Sequence, residues 1–475
     1  MAEKKATSTS DTGRANASIR SRAIGSIPAT LQALNSLRTE ERRSALAEAV
    51  RSFNEGVVPR PHDTGWVNVL ARTFFSYSTD GSSPSRIAWE AVIRGLSVIG
   101  CADVDNLGAL GEMLAAGDAL GVRATVSLET KCYVRSYEDR DINCPGQPGF
   151  LRALGVGFTS VPSLDSDHGR FIAQLPQRAH DRNRCRIEKI NELLTPVTIN
   201  YDADVLPLTP AGNPTPEHLA MAYVKKAESV FPEREDQAVF WADVLGRAPQ
   251  DAEALAGDPA AFREAIWEKF KNLTAEERNP DQYPGVTDFF KAVSASGALP
   301  CVYWLNGSTA GESDTRRLLD DAIHWGARAV AVTPDRLWNI ADADKKRMRL
   351  GALDQLMQAA RERSLPVLAG SFMDAPHQKF VDSFDAPELA AYFRDFNDGA
   401  FWLYGHATLH RATGYGLQSE WADETFGRNR AAANAFYLEA GKKAPPGKAT
   451  RVRIANVGPE PDPADILDAL APLRI

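Results

Sequence analysis

Residues 71–110 read ARTFFSYSTDGSSPSRIAWEAVIRGLSVIGCADVDNLGAL, and the order of features in this stretch decides the fold. It opens at the end of an apolar run, WVNVLA at 66–71, and passes through a polar turn around Ser76, Ser78 and Asp80. Ser83-Pro84 then caps and opens a helix: a serine oxygen accepts a free N–H of the first turn, and proline is preset for the first helical position. Ile87, Ala88, Ala91 and Val92 share one face of that helix, and Gly95 ends it. A second apolar run, LSVIGCA at 96–102, leads to Asp103 and Asp105. Two strands apolar throughout, joined by a helix, imply parallel pairing, burial on both faces and a right-handed crossover.

The same alternation extends outward. Apolar runs recur at 122–128 (VRATVSL), 298–304 (ALPCVYW), 327–333 (ARAVAVT), 365–370 (LPVLAG) and 400–404 (AFWLY). Helical patterns fall at Asn106–Leu120, closed by Gly121, at Thr315–Trp325, closed by Gly326, and at Ala343–Arg363. Another, Thr39–Phe53, precedes them, with Thr39 as its cap. Seven strands in this order favour a closed or nearly closed α/β barrel over an open doubly wound sheet. The interval 135–297 is too long for one strand–helix unit. It carries Gly- and Pro-rich loops and helical patterns near 170–195, 215–230, 234–246 and 259–271, and reads as an inserted helical cap. The expected division is a disordered tail at 1–25, barrel at 26–134, insertion at 135–297, and barrel with C-terminal helices at 298–475.

With 44% hydrophobic and 24% charged residues the chain is globular in composition. A net charge of −8 argues against nucleic-acid or anionic-membrane partners. Five cysteines without a Cys-x-x-Cys pair suit a reducing compartment, so the expected location is cytoplasmic. The polar N-terminus is no secretory signal, and no run of about 18 apolar residues offers a membrane span. Neither type of Gly-rich phosphate loop occurs.

In parallel barrels the strand C-termini carry the chemistry. Those positions hold Arg72, Asp103 and Asp105, Glu129, Trp304 and Asn306, Asp335, Asp374, and His406. Carboxylates and imidazole are both metal ligands and acid–base groups. Asp103 and Asp105, one residue apart, point to opposite sides, with Asp103 the one expected to face the site. His406 and His410, four apart in YGHATLH, would share a helix face. The tryptophans Trp304, Trp338 and Trp402 read as core, and His62, His168 and His180 as surface residues, with His377 better placed after the sixth strand.

The stretch 71–110 resembles the start of a domain of the polymerase and histidinol phosphatase (PHP) family. Thr79-Asp80-Gly81, Ser83-Pro84, Asp103-x-Asp105 and Glu129 match that family's plan in order and spacing. The resemblance covers 65–135 well and 298–410 loosely. It implies a parallel (β/α)7-type distorted TIM barrel with a large helical insertion. It also implies a metal-dependent hydrolase of the phosphoesterase class, acting on a small anionic or phosphorylated metabolite.

The departures from that plan fall on metal ligands. Leu70 and Arg72 stand where the family has a His-x-His pair, Val104 stands between the two aspartates, and Phe372 replaces a carboxylate after the sixth strand. What remains would hold at most one divalent metal (zinc, manganese or iron) on Asp103, Glu129 and His406, or none. These three are the candidate catalytic residues, with Arg72, Asn306 and Asp374 as substrate-binding residues. Arg72 either grips the anion or forms an ion pair with leftover carboxylates. Two alternatives accompany the hydrolase: a catalytically silent binding or regulatory barrel, and a metal-free isomerase or lyase with the insertion as its lid. The insertion has apolar positions enough for a lid or for a contact in a homo-oligomer.

Overall fold

Ser83 does cap the first crossover helix. Its side chain accepts from the Arg86 N–H at 3.0 Å, Pro84 takes the first position, and Gly95 follows in the left-handed region at φ 67°. The structure is a computed structural model that describes residues 29–471 apart from 79–80, 210–211, 274–278 and 376–377. The tail expected at 1–25, Thr79, Asp80 and His377 lie outside the described residues.

The strands are β1 (Val67–Ala71), β2 (Val98–Val104), β3 (Arg123–Tyr133), β4 (Phe150–Val156), β5 (Leu299–Tyr303), β6 (Ala329–Val332) and β7 (Val367–Ala369). They form one seven-stranded sheet in the order β1-β2-β3-β4-β5-β6-β7. β1, β2 and β3 run parallel, as do β5, β6 and β7, while β4 is antiparallel to both of its neighbours. The sheet curls until its edges meet. The Arg72 N–H, just after β1, donates to the Phe372 carbonyl at 3.0 Å. Asn68 completes the seam: its Nδ2 donates to the Ser371 carbonyl at 3.1 Å, and its Oδ1 accepts from the Ser371 N–H at 3.1 Å. The same Oδ1 takes the Leu70 N–H at 3.0 Å, freed where β1 bulges between Asn68 and Ala71. The result is a nearly closed, mostly parallel barrel.

Helices α1 (Thr39–Asn54), α2 (Pro84–Ile93) and α3 (Leu110–Leu120) cover the first half. α3 starts four residues later than the pattern suggested, because the Asn106 side chain bonds the Phe75 and Val104 carbonyls and the Gly108 N–H instead of entering a helix. The insertion holds α4 (Asp167–Leu193), α5 (Pro216–Val230), α6 (Arg234–Leu245), α7 (Pro249–Ala256) and α8 (Pro259–Leu273). These helices enclose a second core of their own, around Ile190, Leu219, Tyr223, Trp241, Ile266 and Phe270. α9 (Val286–Ala295), α10 (Thr315–Trp325) and α11 (Ala343–Glu362) return to the barrel wall.

Two strand assignments need correction. β4 lies inside the range read as insertion, behind the Gly- and Pro-rich CPGQPG loop, with Arg152 interrupting its apolar run. Residues 400–404 are not a strand but part of α12 (Phe393–Thr413). α12 crosses the N-terminal end of the barrel. Its Asn397 bonds the Gly65 carbonyl ahead of β1, and Gly399 lies against the Val367 backbone at the start of β7. Its other face meets the helix Arg430–Lys443, so Phe396 to Leu409 are buried almost without break. A helix buried all round has no polar stripe, and a five-residue window of it looks like a buried strand. No helix among the described residues is long and apolar enough to cross a membrane.

Candidate functional site

Arg72 leaves β1 pointing across the C-terminal mouth of the barrel. Its Nη1 donates to the Ala102 carbonyl at 2.8 Å, its Nη2 to Glu129 Oε2 at 3.0 Å, and its Nε lies 3.5 Å from Asp374 Oδ2. Glu129, on β3, meets a second guanidinium from β4: Arg152 Nε reaches Oε1 at 2.8 Å and Nη2 reaches Oε2 at 2.9 Å. Asp374 meets a third, with Arg336 Nη2 on its Oδ1 at 3.1 Å. Phe372 braces the set, its ring centre 4.7 Å from the Arg72 guanidinium and 4.9 Å from that of Arg152. Tyr303 braces the other side, 4.8 Å under Arg152 and 3.4 Å from Arg336 through its hydroxyl. Phe372 and Tyr303 are thus the aromatic platform on which the arginines of the mouth stack.

Burial opposes the charge of Glu129, but Arg152 and Arg72 outweigh it and hold the carboxyl below its ordinary value. Asp374 is likewise buried and likewise held down, by Arg336, Arg72 and Arg152. Asp103 behaves in the opposite way. Burial raises it, and the hydrogen bonds it accepts from Ser76 and Thr73 offset only part of the effect. Those bonds, from the Thr73 N–H at 2.9 Å, the Thr73 hydroxyl at 2.7 Å and the Ser76 hydroxyl at 2.6 Å, tie down the turn before α2. Asp105, at φ 57°, faces away toward the Thr130 hydroxyl and Arg182 of α4. Burial raises it too, against the pull of Arg182.

Among the sequence-predicted residues, the structure brings Arg72, Glu129 and Asp374 together, with Asp103 behind them. It leaves out two. Asn306 spends its Oδ1 on the N–H and hydroxyl of Ser308, holding its own turn. His406, expected at a strand end, lies in α12 beneath the opposite end of the barrel. There it packs near Gly157, whose N–H bonds the Val126 carbonyl, and its Nδ1 accepts the Leu417 N–H at 3.0 Å. Val126 is three residues before Glu129 on β3, on the order of 10 Å along the strand. Burial, with His410 stacked 5.9 Å away, pushes His406 down to about 3.

The proposed metal set of Asp103, Glu129 and His406 therefore does not assemble. Both oxygens of Glu129 are taken by guanidiniums, both oxygens of Asp103 by N–H and hydroxyl donors, and His406 is elsewhere. No group of three or more His, Cys, Asp or Glu residues among the described residues is arranged to hold a metal ion. The donors present do not fit the divalent centre that the resemblance implies.

Sequence reasoning missed Arg152 and Arg336. Arg336 follows β6 next to Asp335, which had been singled out, and a donor at a strand end was the available signal. Arg152 was hidden with β4. The cap closes over these groups. Asn213 donates to the Phe75 and Val104 carbonyls at 3.1 and 2.9 Å, and Arg182 Nη2 to Asp105 Oδ2 at 3.2 Å. α5 brings Glu217 close enough to feel Asp374 and Arg72. Burial raises its carboxyl, against a hydrogen bond from Thr215.

No family model and no curated protein matches the chain. Among solved structures it is similar to an inferred metal-dependent phosphoesterase from Bifidobacterium adolescentis, with 16% identity over 70% of this chain and 97% of that one, at a TM-score of 0.42. It is also similar to an amidohydrolase from Chromobacterium violaceum, solved with bound sulfate and no metal, with 13% identity over 66% of this chain and 88% of that one, at a TM-score of 0.42.

Proposed function

We propose that the barrel mouth binds a small phosphorylated or carboxylated metabolite without a resident divalent metal, and that the protein is a binding or regulatory barrel. The observation that carries this reading is the engagement of Glu129 by both Arg152 and Arg72. Three guanidiniums face two ionised carboxylates, Glu129 and Asp374, so the cluster keeps a cationic excess. Arg152 and Arg336 are the less buried members, at 19% and 25% of their side-chain surface against 4% for Arg72. Stacking on Phe372 and Tyr303 fixes their planes, so little freedom is lost when a planar or tetrahedral anion docks. Arg72 would serve as the buried ion pair, and the outer two arginines would make the grip.

A second reading is supported by Glu217. A carboxyl raised by burial and held over a cationic mouth is suited to proton transfer, which a metal-free isomerase or lyase acting on the same anion would need.

Three measurements on the full chain decide among these. Calorimetric titration with inorganic phosphate is expected to show binding that Arg336→Met weakens about tenfold or more, the scale of one charge-assisted hydrogen bond. Mass spectrometry of protein purified without a metal-binding tag is expected to find zinc, manganese and iron well below one equivalent. One equivalent of metal, lost in Glu129→Ala, would overturn the metal-free site. Turnover of any member of a phosphoester and hydroxy-acid panel that disappears in Glu217→Gln would replace the binding role with the second reading.

A further inference from the structure

The helical cap encloses more than the lid over the mouth requires. A solvent-open cavity of about 630 Å³ lies between α5, α6, α7 and α8. Small-molecule sites span about 300–1,000 Å³. The wall is apolar and partly aromatic, formed by Val224, Trp241 and Phe262. Lys225, Arg234 and Arg263 also line it, against Glu228 and Glu253, so cations outnumber anions three to two.

Arg263 carries the chemical signal. Its Nε is buried and has no hydrogen-bond partner among the described residues. The guanidinium is thus short of an acceptor, and it lines the cavity. The Arg263 guanidinium also bonds the hydroxyl of Tyr77. Tyr77 follows Ser76, which bonds Asp103, in the turn between β1 and α2. Arg263 thus stands between the cavity and the mouth.

We propose that this cavity is a second ligand site, separate from the barrel mouth, for a small organic anion with a flat apolar body. The body lies against Trp241 and Phe262, and the anionic group pairs with the guanidinium of Arg263. The mouth arginines form no part of it, and the site stands whether or not the mouth binds an anion.

The test is a fluorescence and calorimetric titration of the full chain with an anilinonaphthalene sulfonate, and in parallel with the uncharged anilinonaphthalene. One equivalent of the sulfonate is expected to bind saturably. Arg263→Met is expected to weaken it about tenfold or more while leaving the uncharged compound within about twofold, the difference that one charged contact makes. Ala238→Trp, which fills the cavity, is expected to remove both. Arg263 is half-buried, so its variant decides the matter even if Ala238→Trp does not fold by far-ultraviolet circular dichroism. Absence of saturable binding, or sulfonate binding unchanged in Arg263→Met, overturns the proposal. So does sulfonate binding that Arg336→Met at the mouth weakens instead.

Discussion

At the scale of single residues, the mouth of this barrel is held by carboxylates and guanidiniums that neutralise one another. Glu129 is stable as an anion because two guanidiniums face it, and each guanidinium is stable in the interior because Glu129 faces it. Removing one partner strands the others. Glu129→Gln is expected to cost about 3–5 kcal/mol, measured by urea denaturation at neutral pH, since it leaves Arg72 and Arg152 buried without their counterion. The pH dependence has a definite sign. Glu129 and Asp374 titrate below their ordinary values when folded, so the stability they confer is complete above about pH 4.5 and is lost as the pH falls through their folded values. The acid limb of the stability curve should therefore be shallower in Glu129→Gln than in the wild type. Asp103 has the reverse sign, because burial raises it and stability falls as the pH rises through its folded value. Asp103→Asn should accordingly cost less than Glu129→Gln in the same urea series.

At the scale of elements, α12 explains both the misread strand and the absent histidine. Its glycines permit a crossing in which the backbones of α12 and the helix Arg430–Lys443 nearly touch. A Cβ at Gly405 would collide with the Tyr437 carbonyl, and one at Gly441 with the Phe401 carbonyl. Gly405→Ala should therefore destabilise by about 1–3 kcal/mol or more, as overpacking does. Gly351, exposed in the middle of α11 with open space around it, is the control. There alanine should stabilise by about 0.5–1 kcal/mol through helix propensity alone. Thermal and urea unfolding of both variants would check the pair. If Gly405→Ala were neutral, the close crossing, and with it the placement of His406 under the barrel, would be wrong.

At the scale of the whole molecule, a barrel whose mouth is held by its own ion pairs needs no metal ion to hold it together. Chelation with EDTA should leave the melting temperature within about 1 °C, whereas a ligated divalent ion would contribute through mass action and its removal would lower it. The barrel and the cap each have a core, and Asn213 and Arg182 join them over the mouth.

Strand–helix alternation, caps such as Ser83-Pro84 and stops such as Gly121 and Gly326 are local signals, written within a few residues of their effect. They determined the barrel class, most helix limits and the helical nature of the insertion from sequence alone. Sequence also named Arg72, Glu129 and Asp374, because a strand-end position is a local property. What the tertiary structure decided was everything that depends on the far side of a contact. The antiparallel β4 is a strand only because β3 and β5 flank it, and residues 400–404 are a helix only because the barrel floor and another helix bury both faces. Arg152 and Arg336 join the cluster at the mouth, and His406 does not, because side chains distant in sequence share one end of a barrel only after the sheet has closed.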